Sequence, residues 1–134
     1  MIQDLRNNKV IPFTYLVDIT LGASALGSVN LTLAADSWFE LANYRASTNN
    51  AAAATDFSPN YFSVLITDAG TGRQLQSTRA QQRILCGNAF FGEDQKRPIK
   101  FSPNTVLQFD FQNLLNAELE IQLGLSGFKW FQLV

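Results

Sequence analysis

The chain of 134 residues contains no histidine and a single cysteine, Cys86. Without these ligands a Cys/His zinc site cannot be assembled. A histidine-dependent catalytic triad is excluded within the chain, and Cys86 has no imidazole to activate it as a nucleophile. A lone cysteine forms no intramolecular disulfide, as expected of a protein made in a reducing cytoplasm. Charge is also scarce, at 16% of residues with a net charge of −1. A nucleic-acid-binding surface needs a basic surplus to displace phosphate counterions, so no nucleic-acid partner is expected. No apolar run approaches the ~20 residues of a membrane-spanning helix, and no membrane partner is expected. The start, MIQDLRNNKVIP, places Asp4 and other polar residues where a secretory signal would need an apolar stretch.

Hydrophobic residues are plentiful at 46%, and 11 phenylalanines lead an aromatic share of 12%. This length suits one domain burying roughly 70% of its unfolded surface. The dominant pattern is alternation with a period of two, which marks half-buried strands. Phe13, Tyr15, Val17 and Ile19 share one face of the first run, against Thr14, Leu16, Asp18 and Thr20. After LGASALG, Val29, Leu31 and Leu33 continue the theme over Ser28 to Ala34. SWFELANYRAS admits two readings. Ser37 and Glu40 have capping-box spacing for a helix, whereas the aromatic content favours a strand with Phe39 and Leu41 opposite Trp38, Ala42 and Tyr44. Ser47 to Asn60 reads as a contact or solvated loop, or as one helical turn at the alanines.

YFSVLITD resumes alternation, and the Asp68, Gly70, Gly72 spacing is a hairpin signature returning through Arg73 to Ser77. Gln82 to Leu85 is expected as a short strand, Cys86 to Pro98 as irregular, and Pro98 to Phe101 as a brief edge strand, where proline is tolerated. TVLQFDFQN points Leu107, Phe109 and Phe111 inward. AELEIQLGL points Leu119, Ile121, Leu123 and Leu125 inward, with Gly124 and Gly127 marking a bulge or bend before a last strand, GFKWFQLV. The sum is an all-β, single-domain β-sandwich of about eight or nine short antiparallel strands, jelly-roll-like, over residues 11–134, preceded by a short N-terminal arm, residues 1–10.

The search for chemistry returns little. Glu118 and Glu120 share a strand face about 7 Å apart, the geometry of an exposed face or, alternatively, of a glycosidase pair. The Asp68–Gly72 loop lacks the helix a phosphate site requires. Lys96, Arg97 and Lys100 are offset by Glu93 and Asp94, which suits a mixed-charge contact loop. No catalytic residue, metal ligand or cofactor site is expected. Phe90 and Phe91, flanked by Gly87 and Gly92, and the terminal Phe128, Trp130 and Phe131 crowd apolar area in ways that suit either a partner surface or a covered strand.

The layout resembles the small β-structured head proteins of tailed bacteriophages, of the decoration or cement kind. The resemblance is carried by Val10-Ile11-Pro12-Phe13, by LAADSWF from Leu33 to Phe39, by the hairpin from Ile66 to Arg73 and by the ending from Leu123 to Phe131. It implies a non-enzymatic homotrimer, made in the host cytoplasm, that sits on the virion surface and bridges major capsid protein subunits. Under that reading Leu5, Arg6, Lys9, Phe90, Phe91, Lys96 and Arg97 are candidates for capsid contact, and Phe128, Trp130 and Phe131 for contact between copies. A tail, collar or adaptor component is the nearest alternative. A jelly-roll carbohydrate-binding module for host attachment, stacking sugars on Trp38, Tyr44 and Tyr61, is the other.

Overall fold

The computed structural model describes residues 8–49, 60–86 and 93–132, with backbone alone for 8, 93–97 and 132. The described chain is strands β1 (Asn8–Leu21), β2 (Leu26–Thr32), β3 (Trp38–Thr48), β4 (Phe62–Asp68), β5 (Arg73–Gln74) and β6 (Ala80–Gln81), one helical turn α1 (Gln82–Cys86), then β7 (Glu93–Phe101), β8 (Val106–Asn113) and β9 (Leu119–Gln132).

Two antiparallel sheets face each other, in orders β1-β9-β3-β7 and β2-β8-β4-β5, with β6 also on β4. The pairings β1–β9, β2–β8, β3–β7 and β4–β5 form one long antiparallel ribbon, outermost strands matched with outermost. Rolling that ribbon up brings β9 against β3 and β8 against β4. That winding is the jelly roll. The alternation expected from the sequence therefore describes the sandwich correctly, and the strand order comes from the long-range ladders.

The core lies between the sheets. Phe62, Val64, Ile66, Phe109, Phe111, Leu119, Leu123 and Leu125 are fully buried. Each such side chain contributes roughly 1.5–3 kcal/mol relative to exposure. Phe62 packs tilted on Phe111 at 5.8 Å, and Tyr15 meets the Phe39 ring edge-on at 4.8 Å. The Tyr15 hydroxyl then accepts the Ala34 N–H at 2.9 Å, tying β1 to the loop before β3. Pro12 and Pro98 both sit on edge strands, β1 and β7, where a missing N–H costs no ladder bond.

Four local expectations need correction. SWFELANYRAS is a strand, but Tyr44 is buried beside Phe39 and Leu41 instead of opposing them. A β-bulge between Leu41 and Asn43 inserts one residue and flips the later face. Second, Gln82–Cys86 is helical. Its buried residues Gln82, Leu85 and Cys86 follow helical spacing, and the first of them is polar, which hid the period. The Gln82 amide oxygen accepts the Tyr61 N–H at 2.9 Å, which explains a buried glutamine. Third, the stretch before Pro98 is not irregular throughout, because β7 starts at Glu93. An edge strand accommodates the charges of EDQKR, since one side of its backbone has no neighbour. Fourth, the ending is a single strand, β9, and not two, although the bulge expected at the glycines does fall opposite Gly127, on β3.

Gly127 explains that continuity. It lies across from the bulge, and a Cβ there would collide with the Glu40 carbonyl oxygen. The Asp68–Gly72 hairpin is as expected. Gly72 adopts φ +74°, and its N–H donates to the Asp68 carbonyl at 2.7 Å. The returning strand ends at Gln74. Beyond it the Gln76 side-chain oxygen accepts the Ile66 N–H at 2.9 Å, taking a strand's place.

At the end of the sandwich where β1 passes to β2, backbone bonds such as Ser24 N–H to the Leu115 carbonyl (2.9 Å) are joined by the bonds of one buried side chain. Asn113 is buried, and its amide nitrogen donates to the carbonyls of Ala117 (2.7 Å) and Gly22 (2.9 Å), with Leu21 further off at 3.4 Å. Its side-chain oxygen accepts the Leu115 N–H at 2.9 Å. One residue thus satisfies the backbone of two turns at once.

Candidate contact face on the outer sheet

Paired residues in an antiparallel ladder point to the same side. On the outer side of the β1-β9-β3-β7 sheet this rule aligns Val10, Trp130 and Trp38 in one row and Pro12, Phe128 and Glu40 in the next. Val10, Trp38 and Phe128 are 42%, 48% and 40% exposed, large values for apolar side chains within a sheet. Leu16, on the same side of β1, is 53% exposed. Past it the face turns polar, with Asp18 beside Gln122 and Thr20 beside Glu120. The apolar area is therefore concentrated at one end of one face.

Trp130 is fixed from two sides. Its indole N–H donates to the Glu40 carboxylate at 3.0 Å, and the Lys100 ammonium sits over its ring at 4.3 Å. Glu40 and Lys100 are themselves cross-strand partners. A braced tryptophan loses little freedom on meeting a partner, and tryptophan is the residue type most enriched among binding hot spots.

Of the residues expected at contacts between copies, Phe128 and Trp130 come together on this face. Phe131 does not join them. It pairs with Lys9 on the opposite side of the sheet and is half-buried. Lys129 also points inward, its ammonium 3.8 Å from the Phe13 ring centre. Val10 and Leu16 were missed in the sequence reading, although Leu16 stands out between Thr14 and Asp18 on a face that is otherwise polar.

Among the expected capsid contacts, Lys9 is exposed in β1, Lys96 and Arg97 lie in β7 rather than in a loop, and their side chains are outside the described residues. Leu5, Arg6, Phe90 and Phe91 also lie outside the described residues. The three aromatic residues considered for sugar stacking do not converge: Trp38 is exposed, while Tyr44 and Tyr61 are buried. Glu118 and Glu120 are exposed. Glu120 and Asp18 border a shallow polar groove with Thr20, Ser47 and Gln122. Among the described residues no group of three or more acidic or cysteine side chains is arranged to hold a metal. Cys86 is buried, and burial pushes its thiol up to about 12, so it stays protonated and unreactive at neutral pH.

No known family description and no curated protein matches the sequence. Solved structures are similar in fold. One is the Yersinia pseudotuberculosis-derived mitogen, 10% identical, covering 87% of this chain and 86% of that one with a TM-score of 0.44. Another is the 60-mer BFDV capsid protein, 9% identical, covering 95% of each chain with a TM-score of 0.47. A third is the capsid of Helicobacter pylori bacteriophage KHP30, 10% identical, covering 90% and 92% with a TM-score of 0.45. Fold does not fix function, which has to be argued from this chain's own surface.

Proposed function

We propose that this chain is a virion structural subunit of the decoration kind, which self-associates through the outer aromatic face and caps a phage head. The observation that supports this reading most is the row of exposed Val10, half-buried Trp130 and exposed Trp38, with exposed Phe128 beside it. Contiguous apolar area of this sort on a small domain is covered in the working assembly. A rigid jelly roll supplies a body that transmits load. Its β1 edge, without a further strand among the described residues, and the basic residues Lys9, Lys96 and Arg97 remain for the major capsid protein. A homotrimer attaches by several arms at once, so weak individual contacts add up to firm attachment.

Light scattering after size exclusion tests self-association, and co-sedimentation with purified heads tests attachment. The wild type is expected to be trimeric at micromolar concentration and to co-sediment. Phe128→Ser is expected to weaken self-association by about thirty-fold, matching the ~2 kcal/mol of a hot-spot residue. A strictly monomeric protein that does not co-sediment with heads overturns the proposal.

A further inference from the structure

At the end of the sandwich opposite Asn113, three connections meet: the start of β3, the β4–β5 hairpin and the β7–β8 turn. They border an open cleft of about 370 Å³, within the roughly 300–1,000 Å³ of small-molecule sites. One wall is the exposed indole of Trp38. Two cations, Arg73 and Lys100, stand on the rim. Among the described residues neither is ion-paired. Glu40, the cross-strand partner of Lys100, already accepts the Trp130 indole N–H, and the Lys100 ammonium rests on that ring.

Apart from the largely buried Phe101, the rest of the lining is hydroxyl and carboxylate. Ser102 and Thr105 hold each other at 3.2 Å, and the Thr105 hydroxyl donates to the Ser102 carbonyl at 2.7 Å, so the turn presents its oxygens in a fixed arrangement. Asp68 is anchored by the Gly70 N–H at 3.1 Å, and the Thr71 hydroxyl accepts the Arg73 N–H at 3.3 Å. Polar groups set by their own turns need little reordering when a ligand arrives.

We propose that this cleft binds an acidic saccharide, a uronic-acid-bearing glycan. The pieces match that chemistry one to one. A pyranose ring lays its flat C–H face on Trp38. Its carboxylate meets Arg73 and Lys100 in charge-assisted hydrogen bonds. Its hydroxyls donate to Asp68 and exchange hydrogen bonds with Thr71, Ser102 and Thr105. An acidic peptide would satisfy the cations equally well. It would, however, offer no flat C–H ring face to the Trp38 indole, which a pyranose does. The cleft borders the proposed assembly face, since Trp38 lies in both and Lys100 also braces Trp130, but Arg73 belongs to the cleft alone and Phe128 to the assembly face alone, so Arg73→Gln and Phe128→Ser separate the two roles.

The test uses the full chain and the tryptophan indole N–H signals in NMR, with Trp38→Phe to assign the Trp38 signal. The probe is a tetrasaccharide alternating glucuronate and N-acetylglucosamine. Saturable movement of the Trp38 signal is expected, with a neutral chitin tetrasaccharide at least about tenfold weaker. Arg73→Gln and Lys100→Gln are each expected to weaken the acidic probe by about tenfold. Arg83→Gln, which removes an exposed cation on α1 beside Asn60, toward the Asn113 end of the sandwich, is expected to change nothing. Equal binding of the neutral sugar, binding of hexaglutamate as tight as that of the glycan, or no saturation with the acidic probe each overturns the proposal. The hexaglutamate result would instead identify a docking place for an acidic peptide.

Discussion

Asn113 offers the sharpest test of how this fold is held. Its side chain makes three short hydrogen bonds, at 2.7 Å to Ala117, 2.9 Å to Gly22 and 2.9 Å from Leu115, in a place where the residue is 1% exposed. A typical net contribution is about 1 kcal/mol per bond, and buried partners left unpaired add to the loss. Asn113→Ala is therefore expected to cost about 3–4 kcal/mol, a large share of the 5–15 kcal/mol that holds a domain together. In a chain of this size that lowers the melting temperature by roughly 10–15 °C. Asn113→Leu keeps the volume and loses the bonds, so it is expected to be no better. Asn113→Asp keeps the shape and reverses the polarity, because a carboxylate has no hydrogen for the Gly22 and Ala117 carbonyls. The folded protein then prefers the protonated acid, so the introduced group's folded pKa is raised. Its stability is greatest below the unfolded aspartate range, near about 4, and is lost as pH rises. Urea unfolding at acid and neutral pH is the assay, with the gap between Asn113→Asp and wild type expected to narrow in acid. If Asn113→Ala costs less than about 1 kcal/mol, the two turns are held by something else and the reasoning fails.

Two further outcomes follow from single positions. Gly127→Ala places a methyl group on the Glu40 carbonyl across the bulge, where backbone must move, and is expected to destabilise by about 2–4 kcal/mol in thermal unfolding; an unchanged melting temperature would show that β3 and β9 do not need that close approach. Cys86, its thiol raised to about 12 by burial, is expected to react with a disulfide reagent at neutral pH only after unfolding. Because its folded pKa lies above the unfolded one, wild type is expected to lose stability relative to Cys86→Ala as pH climbs from about 9 toward 12, by at most about 4 kcal/mol. Parallel pH curves for the two proteins would contradict this.

The strands were legible because their cause is local. Leu107, Phe109 and Phe111, or Leu119 through Leu125, alternate with polar residues whatever the rest of the chain does, since a half-buried strand needs one apolar side. The Asp68–Gly72 hairpin was legible for the same reason: positive φ at Gly72 is a property of a few adjacent residues. The α1 turn was not, because its period is carried partly by a buried glutamine whose burial depends on Tyr61, twenty-one residues earlier.

Composition and alternation alone thus determined an all-β sandwich with no histidine, a single cysteine and no basic surplus, for each of these depends on residue type and near neighbours. The tertiary structure decided the rolled-up strand order, the inward turn of Tyr44 past the bulge, and the meeting of Val10, Trp38, Phe128 and Trp130 on one face. It also decided the meeting of Arg73 and Lys100 beside Trp38. These are juxtapositions across many tens of residues, set by which ladders form when a ribbon closes on itself, and no short stretch of sequence contains them.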